Sequence, residues 1–245
     1  MTRAAFSVLA IAAVCAGACS STAAPTTPSA TPAPMSIVAP PAPPPDPISA
    51  PATASYRVTF QATWAAATHP DDFPSSAHFS PLVGGTHSAR VTFWREGAFA
   101  TEGIKDMAER GFTSTLSAEI AAAIEGGTAG QVFTGGNIGG SPGVATAEFD
   151  VSQSFPLVTL VSMIAPSPDW FVGVSSEPLF ENNSWVEQRR YELVPWDAGT
   201  DGGVSFTSPD LVSAPRAAIA RIVTAPLSPG GRITPLGTFT FTRLP

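Results

Sequence analysis

The sequence predicts a mainly β domain, an antiparallel β-sandwich with two or three short helices, preceded by a disordered Pro/Ala-rich tether. Three observations predict it. Residues 56–64 (YRVTFQATW) and 237–242 (GTFTFT) alternate apolar and polar side chains, the period-2 signature of half-buried strands. Residues 155–164 (FPLVTLVSMI) are almost continuously apolar, as a central strand would be. Aspartates, glycines and prolines gather in the spacers that follow such runs, where turns belong.

The domain opens near Ser55 with the strand at 56–64. Residues 88–94 read as another strand, and residues 170–174 and 189–194 follow the central apolar run as two more. The first and last strands carry the same pattern, which places them in one sheet. Helix is the minority. Residues 104–110 end at Gly111 with cationic Arg110 in the last turn. Thr113 or Ser114 caps a second helix that runs to Glu125 and stops at Gly126-Gly127. Residues 217–223 read as a short third. Residues 126–143 hold Gly-Gly pairs without a regular period and read as a long loop. No Gly-Lys-Ser and no Gly-x-Gly-x-x-Gly stands there in the strand-to-helix setting that binds phosphate.

Residues 1–18 read as an export signal. Arg3 supplies the positive flank, and residues 6–14 are apolar but far shorter than the roughly 20 residues of a membrane-spanning helix. The run Ala16-Gly17-Ala18-Cys19-Ser20 resembles a bacterial lipobox, in which Cys19 is lipidated and becomes the first mature residue. The alternative is an ordinary signal cleaved after Ala18 or nearby. Residues 19–54 are Pro, Ala, Ser and Thr with almost no charge; the 11 prolines among residues 20–54 mark a disordered, partly polyproline linker. Residues 55–245 form the folded domain. The expected location is extracytoplasmic, at the cell membrane by lipid anchor alone.

Charge and cysteine usage narrow the function. Without residues 1–18 the chain keeps 11 basic and 19 acidic side chains, a net charge of −8. Lys105 is its single lysine. Nucleic-acid binding needs clustered Lys and Arg to displace counterions, so that class is set aside. Cys15 falls in the signal and Cys19 would carry lipid, which leaves the folded part without disulfide or thiolate chemistry.

Asp169, Asp197 and Asp201 are the candidate metal ligands. Asp169 lies in SPDWF, after Pro166 and Pro168, which stiffen its turn, and the other two lie in WDAGTDGG, four apart around Gly199. A curled loop can aim both carboxylates at one point. Three carboxylates repel one another unless a cation sits among them. Calcium takes about six to eight oxygen ligands and tolerates irregular geometry, so one calcium ion is expected rather than magnesium. Carbonyls near residues 162–166 and waters would complete its shell. The same spacing also suits aspartates that merely form turns.

The words around these acids carry a resemblance. ATW at 62–64, HP at 69–70, DFP at 72–74, HFSPLVGGTH at 78–87, MIAPSPDWFVG at 163–173, WDAGTD at 196–201 and PLG at 235–237 occur in this order. Together they resemble the spondin domain, the N-terminal module of F-spondin and mindin, over residues 55–245. The resemblance implies an antiparallel sandwich similar to C2 domains, and a calcium ion held by aspartates matching Asp169, Asp197 and Asp201. It also implies extracellular adhesion or recognition as a class, with an envelope or extracellular protein or glycan as ligand. The animal members bring thrombospondin repeats and cysteines that this chain lacks, so their particular partners are not carried over.

Other residues offer weaker chemistry. His69, His78 and His87 are the only histidines, and they lack the His-Glu-x-x-His spacing of a metalloprotease. They read as side chains that bond one long structured loop to the sandwich. No Gly-x-Ser-x-Gly stands in the strand-to-helix setting of a nucleophile elbow. Glu96, Glu102, Glu109 and Glu119 could pair for glycoside cleavage, as carboxylates in any acidic protein could. The five tryptophans could line a sugar-binding face, although tryptophans beside strands usually pack the core. The expectation is therefore a binding module and not an enzyme. The alternatives are an envelope-polymer hydrolase with a structural calcium, and a structural envelope lipoprotein without a ligand.

Overall fold

The computed structural model describes residues 50–245. The expected signal at 1–18, Cys19 and the linker up to residue 49 lie outside the described residues. The first strand starts slightly before the expected edge at Ser55, because Thr53 and Ala54 already pair with Ser152 and Val151.

In chain order the strands are β1 (Thr53–Ala62), β2 (His78–Phe79), β3 (Val83–His87), β4 (Ala129–Thr134), β5 (Gly143–Ser152), β6 (Leu157–Ala165), β7 (Trp170–Pro178), β8 (Phe180–Glu181), β9 (Ser184–Trp185), β10 (Gln188–Leu193), β11 (Trp196–Asp197), β12 (Ala220–Arg221) and β13 (Gly237–Arg243). Helices α1 (Glu102–Arg110) and α2 (Ser114–Glu125) lie between β3 and β4. One sheet has the order β10-β13-β1-β5 and the other β12-β11-β7-β6-β3-β4, with β2 also pairing to β6. Strands β8 and β9 form a small hairpin of their own. Every strand pair is antiparallel, and the first and last strands do share a sheet, with Phe60 opposite Phe239.

The alternation of β1 and β13 sends Tyr56, Val58, Phe60, Phe239 and Phe241 inward. There they meet Val158, Leu160 and Val172 of the second sheet. The opposite face of the second sheet is covered by the helices, where Val161, Met163 and Phe171 pack with Ile104, Met107, Leu116 and Ile120. The result is three layers, sheet on sheet on helix pair. Because β6 is covered on both faces, it is buried from Val158 to Ala165 and shows no alternation. Helix α2 approaches β3 so closely that a Cβ on Gly85 would stand 2.7 Å from Cγ2 of Ile120.

Both long helices are where the sequence puts them. Thr101 caps α1 by accepting the Ile104 N–H at 3.2 Å, and Gly111 ends it with φ +68°. Thr113 stands at the N-cap of α2 but makes no side-chain cap bond. Glu119 of α2 instead reaches across to accept the Gly103 N–H of α1 at 2.8 Å.

Four segments differ from expectation. Residues 88–94 are not a strand. Ser88 donates its hydroxyl to Thr128 O at 3.1 Å and starts a turn, while Phe93 and Trp94 bury singly into the helix-side core. Their alternation reflects individual packing, not a ladder. Residues 217–223 are not a helix, because the amides of Ala217, Ile219 and Ile222 donate to Gly199, Ala98 and Pro195. The supposed loop at 126–143 contains β4, an edge strand against β3 whose two sides are not cleanly separated into apolar and polar. Strand β5 escaped notice because its inward positions include the small residues Ala145 and Ala147 beside Phe149 and Val151.

The sandwich has two poles. Strand β1 rises from the pole that holds Ser152 and the start of β6, and after ten residues, about 30 Å of extended chain, it reaches the opposite pole. That second pole holds the turn between β6 and β7. Since Ile120 fills the fully buried seam between α2 and β3, Ile120→Ala should lower stability by about 2–5 kcal/mol, read as a fall in the denaturant midpoint.

Candidate metal centre at the acidic pole

Asp169 sits in the turn between β6 and β7, behind Pro166 and Pro168. Ser167 closes this turn locally, accepting the Trp170 N–H at 3.1 Å and donating its hydroxyl to Ile164 O at 2.5 Å. Ile164 O, one of the carbonyls expected to face a cation, is therefore already engaged. Strand β11 lies beside β7 with Asp197 opposite Trp170, so the 197–201 loop starts against the Asp169 turn. The Ala198 N–H donates to Asp169 O at 3.1 Å and fixes the two loops together.

The Asp169 carboxylate is fully buried. Its Oδ2 accepts three hydrogen bonds, from Thr200 N at 2.7 Å, Thr200 Oγ1 at 3.2 Å and Asp201 N at 3.0 Å. Its Oδ1 is buried with no hydrogen-bond partner. Asp197 Oδ1 accepts the Gly199 N–H at 2.7 Å, an Asx-turn that curls the loop, and Gly199 follows with φ +74°. Asp201 makes a second Asx-turn. Its Oδ1 accepts the Gly203 N–H at 2.7 Å and its Oδ2 the Leu211 N–H at 2.9 Å.

The two loops thus come together as the sequence requires, but the three carboxylates have different tasks. Burial, and next the charge of Asp197, push Asp169 up to about 6, against the opposing pull of the Thr200 and Asp201 donors. Burial raises Asp197 as well, offset by the Gly199 amide and the Trp170 side chain and reinforced by the charge of Asp201. Two acids are strained toward protonation, and a buried carboxylate oxygen is left without a donor. That is the electrostatic signature of a place a cation would relieve. Asp201 is turned toward the 202–211 backbone, and among the described residues no group of three or more His, Cys, Asp or Glu side chains stands as a ready ligand set.

The Spondin_N family model matches residues 54–230. The chain belongs to the Spondin_N family. Spondin-2 of Homo sapiens is 36% identical over 166 residues, which cover 66% of this chain and 50% of that protein. Spondin-1 of Mus musculus is 35% identical over 187 residues, covering 70% of this chain and 23% of that protein. The chain therefore spans about half of one relative and less than a quarter of the other. Strand β13 lies beyond the matched residues, yet it sits between β1 and β10 and is integral to the first sheet of this spondin domain.

Sequence reasoning missed two parts of the site. Thr200 supplies both a hydroxyl and an amide to Asp169, and nothing in its sequence setting separates it from an ordinary turn threonine. Residues 211–217 brace the loop from outside, with Gly202, Ser213 and Ala217 amides bound to or from it at 2.7–2.9 Å. Only the tertiary fold brings them there.

The histidines are scattered through the spondin domain. His78 pairs with Ala165 and His87 with Leu157, opposite ends of β6 and about 26 Å apart along an extended strand. His69 bonds Thr68 Oγ1 at 2.9 Å and Thr234 O at 3.2 Å. Two of them lie in strands and not, as expected, in one long loop.

Asp169 makes the metal-free spondin domain sensitive to pH. Its folded pKa is raised, so its contribution is fully present below the ordinary aspartate range and is lost as pH rises through about 6. His69 and His87 are lowered by burial and act in the opposite sense, losing stability as pH falls below their ordinary value of 6.5. Comparison with Asp169→Asn isolates the aspartate. Chelator-treated Asp169→Asn should exceed the parent in stability by up to about 3 kcal/mol near neutral pH, the excess vanishing near about pH 4. Urea melts at a series of pH values check this.

Proposed function

We propose that this chain is an extracytoplasmic recognition module whose acidic pole is stabilised by one calcium ion. The observation that carries the reading is the buried Asp169 carboxylate, with one oxygen unpartnered and Asp197 close enough to raise its pKa, in a member of the Spondin_N family. Asp169 and Asp197 would supply the first carboxylates. Asp201 would add a third, since each of its oxygens accepts a single amide hydrogen and keeps a lone-pair site. Calcium bound there would supply the positive charge that offsets the buried carboxylates. The protein's own part is positional: Thr200 holds Asp169, and the two Asx-turns hold the loop.

The surroundings of the pole support recognition as the mechanism. Val204, Leu211 and Val212 are 78%, 60% and 75% exposed on the segment that leaves the acidic loop. A partner docked at this pole would bury them. The chain enters β1 at the opposite pole, so a lipid anchor at Cys19 would attach at the end of the domain far from the acidic loop. The ligand is an extracellular or envelope protein or glycan. The hydrolase alternative would draw on His78 or glutamates in a deep polar cleft near the histidines. The three histidines instead hold separate segments.

Calcium at about a hundredfold excess over its Kd should stabilise the protein by about 2.7 kcal/mol and raise Tm by about 5–10 °C, reversed by chelator. Asp197→Asn should weaken calcium roughly tenfold or more in titration calorimetry, because a ligand charge is lost while size is kept. An unchanged Tm with and without calcium removes the ion from the account. Cys19→Ser should abolish incorporation of labelled fatty acid when the full chain is expressed in a bacterial host, and label retained by that variant refutes the anchor.

A further inference from the structure

A second site lies away from the acids. Residues 188–197 cross between the sheets, with β10 in the first and β11 in the second, and Val194-Pro195 makes the step. Strand β7 pairs with β6 along its length but with β11 only at Trp170 and Phe171. From Val172 onward its other edge therefore pairs with no strand among the described residues. As β10 turns away to join β13, a wedge opens between it and this bare edge. The wedge is a groove of about 550 Å³, lined among others by Trp94, Glu177, Tyr191, Glu192, Trp196 and Arg221.

The groove is shaped on purpose. In β7 the register slips between the Leu160–Val174 and Val158–Glu177 pairs, so Ser175 and Ser176 oppose the single residue Thr159. Ser176 takes φ +58°, a left-handed conformation that a serine adopts only under constraint. The constraint is buried: the Ser176 N–H donates to Thr159 Oγ1 at 3.0 Å, and Thr159 bonds Nε2 of His87 at 2.8 Å. A bulge of this kind twists a strand and re-aims its side chains.

The aromatic faces in the groove are already covered. Trp94 stacks edge-on with Phe171 and Trp196, and the Arg221 guanidinium lies over Trp196 at 5.2 Å. Both indoles are buried, 5% and 8% exposed, and offer little open face to a sugar ring. What the groove offers is a free strand edge and acid. Arg221 stands 3.6 Å from Glu96, whereas Glu177 and Glu192 make no ion pair among the described residues, against the single unpaired base Arg95. A bare edge satisfies its backbone groups by taking up another strand, and unpaired carboxylates beside it favour cationic side chains.

We propose that this wedge takes an extended peptide segment bearing Lys or Arg, added to β7 as a further strand. The site deepens the recognition reading by naming a partner chemistry, and it does not depend on calcium. Its test reads peptide binding, whereas the calcium test reads melting, so the two fail separately.

The experiment is selection of peptides of about nine residues from a phage-displayed random library on the full chain, followed by synthesis and titration of those selected. The expected result is enrichment of Lys and Arg, and roughly tenfold or greater loss of affinity when Glu177→Lys and Glu192→Lys are combined, with Tm unchanged. N-methylation at alternate peptide amides, which removes the donors of a ladder but keeps the side chains, should cost a similar factor. Selection of no peptide, or of peptides indifferent to both changes, overturns the proposal. So does perturbation of the wedge amides in NMR by a β-linked tetrasaccharide where the selected peptides leave them unmoved.

Discussion

Residues 188–197 belong to both sheets, and much of the molecule follows from that. As β10 they form the outer strand of the first sheet through Leu193; three residues later, as β11, they pair with β7 in the second. One continuous backbone therefore joins the two layers at a single pole. The crossing sets Asp197 beside Trp170, which brings the 197–201 loop onto the Asp169 turn. It also leaves β7 half paired, which opens the wedge. A chain that stayed in one sheet here would have neither feature.

The acidic pole uses its carboxylates unequally. Asp169 is sunk in the fold, where its Oδ2 accepts three hydrogen bonds and holds two loops together. Burial costs a carboxylate much of its hydration, and neighbouring negative charge adds to the cost. The donors around Oδ2 offset only part of it, which is why this acid is lifted well above the ordinary range. Asp197 and Asp201 curl the loop by accepting the amides two residues ahead. Turn formation and cation binding were rival readings of these residues from spacing alone. The geometry makes them compatible, since an Asx-turn occupies one lone pair of a group that has several.

His87 illustrates how position alters meaning. Its spacing from His78 invites a metal reading, yet the two stand at opposite ends of β6. His87 is buried, lowered by that burial, and engaged with Thr159, which in turn carries the amide of the bulge residue Ser176. A histidine that looked like chemistry is an internal support for backbone shape one strand further on, across β6.

The sequence by itself determined the class of fold, the outer strands, both long helices and the identity of the acids, because these depend on local periodicity, capping and turn chemistry. The alternation of residues 56–64 and 237–242 can be satisfied only by half-buried strands, and Gly111 stops a helix wherever it lies. It failed where neighbours decide: Phe93 and Trp94 mimic a strand by packing singly, residues 217–223 give their amides to other segments, and the alanines of β5 blur its pattern. Tertiary structure alone decided that Asp169 would be buried with one oxygen unpartnered, that Asp201 would turn toward Leu211, and that β7 would keep a bare edge. Each of these depends on contacts between residues ten or more positions apart, and no local rule of side-chain period or backbone preference reaches that far.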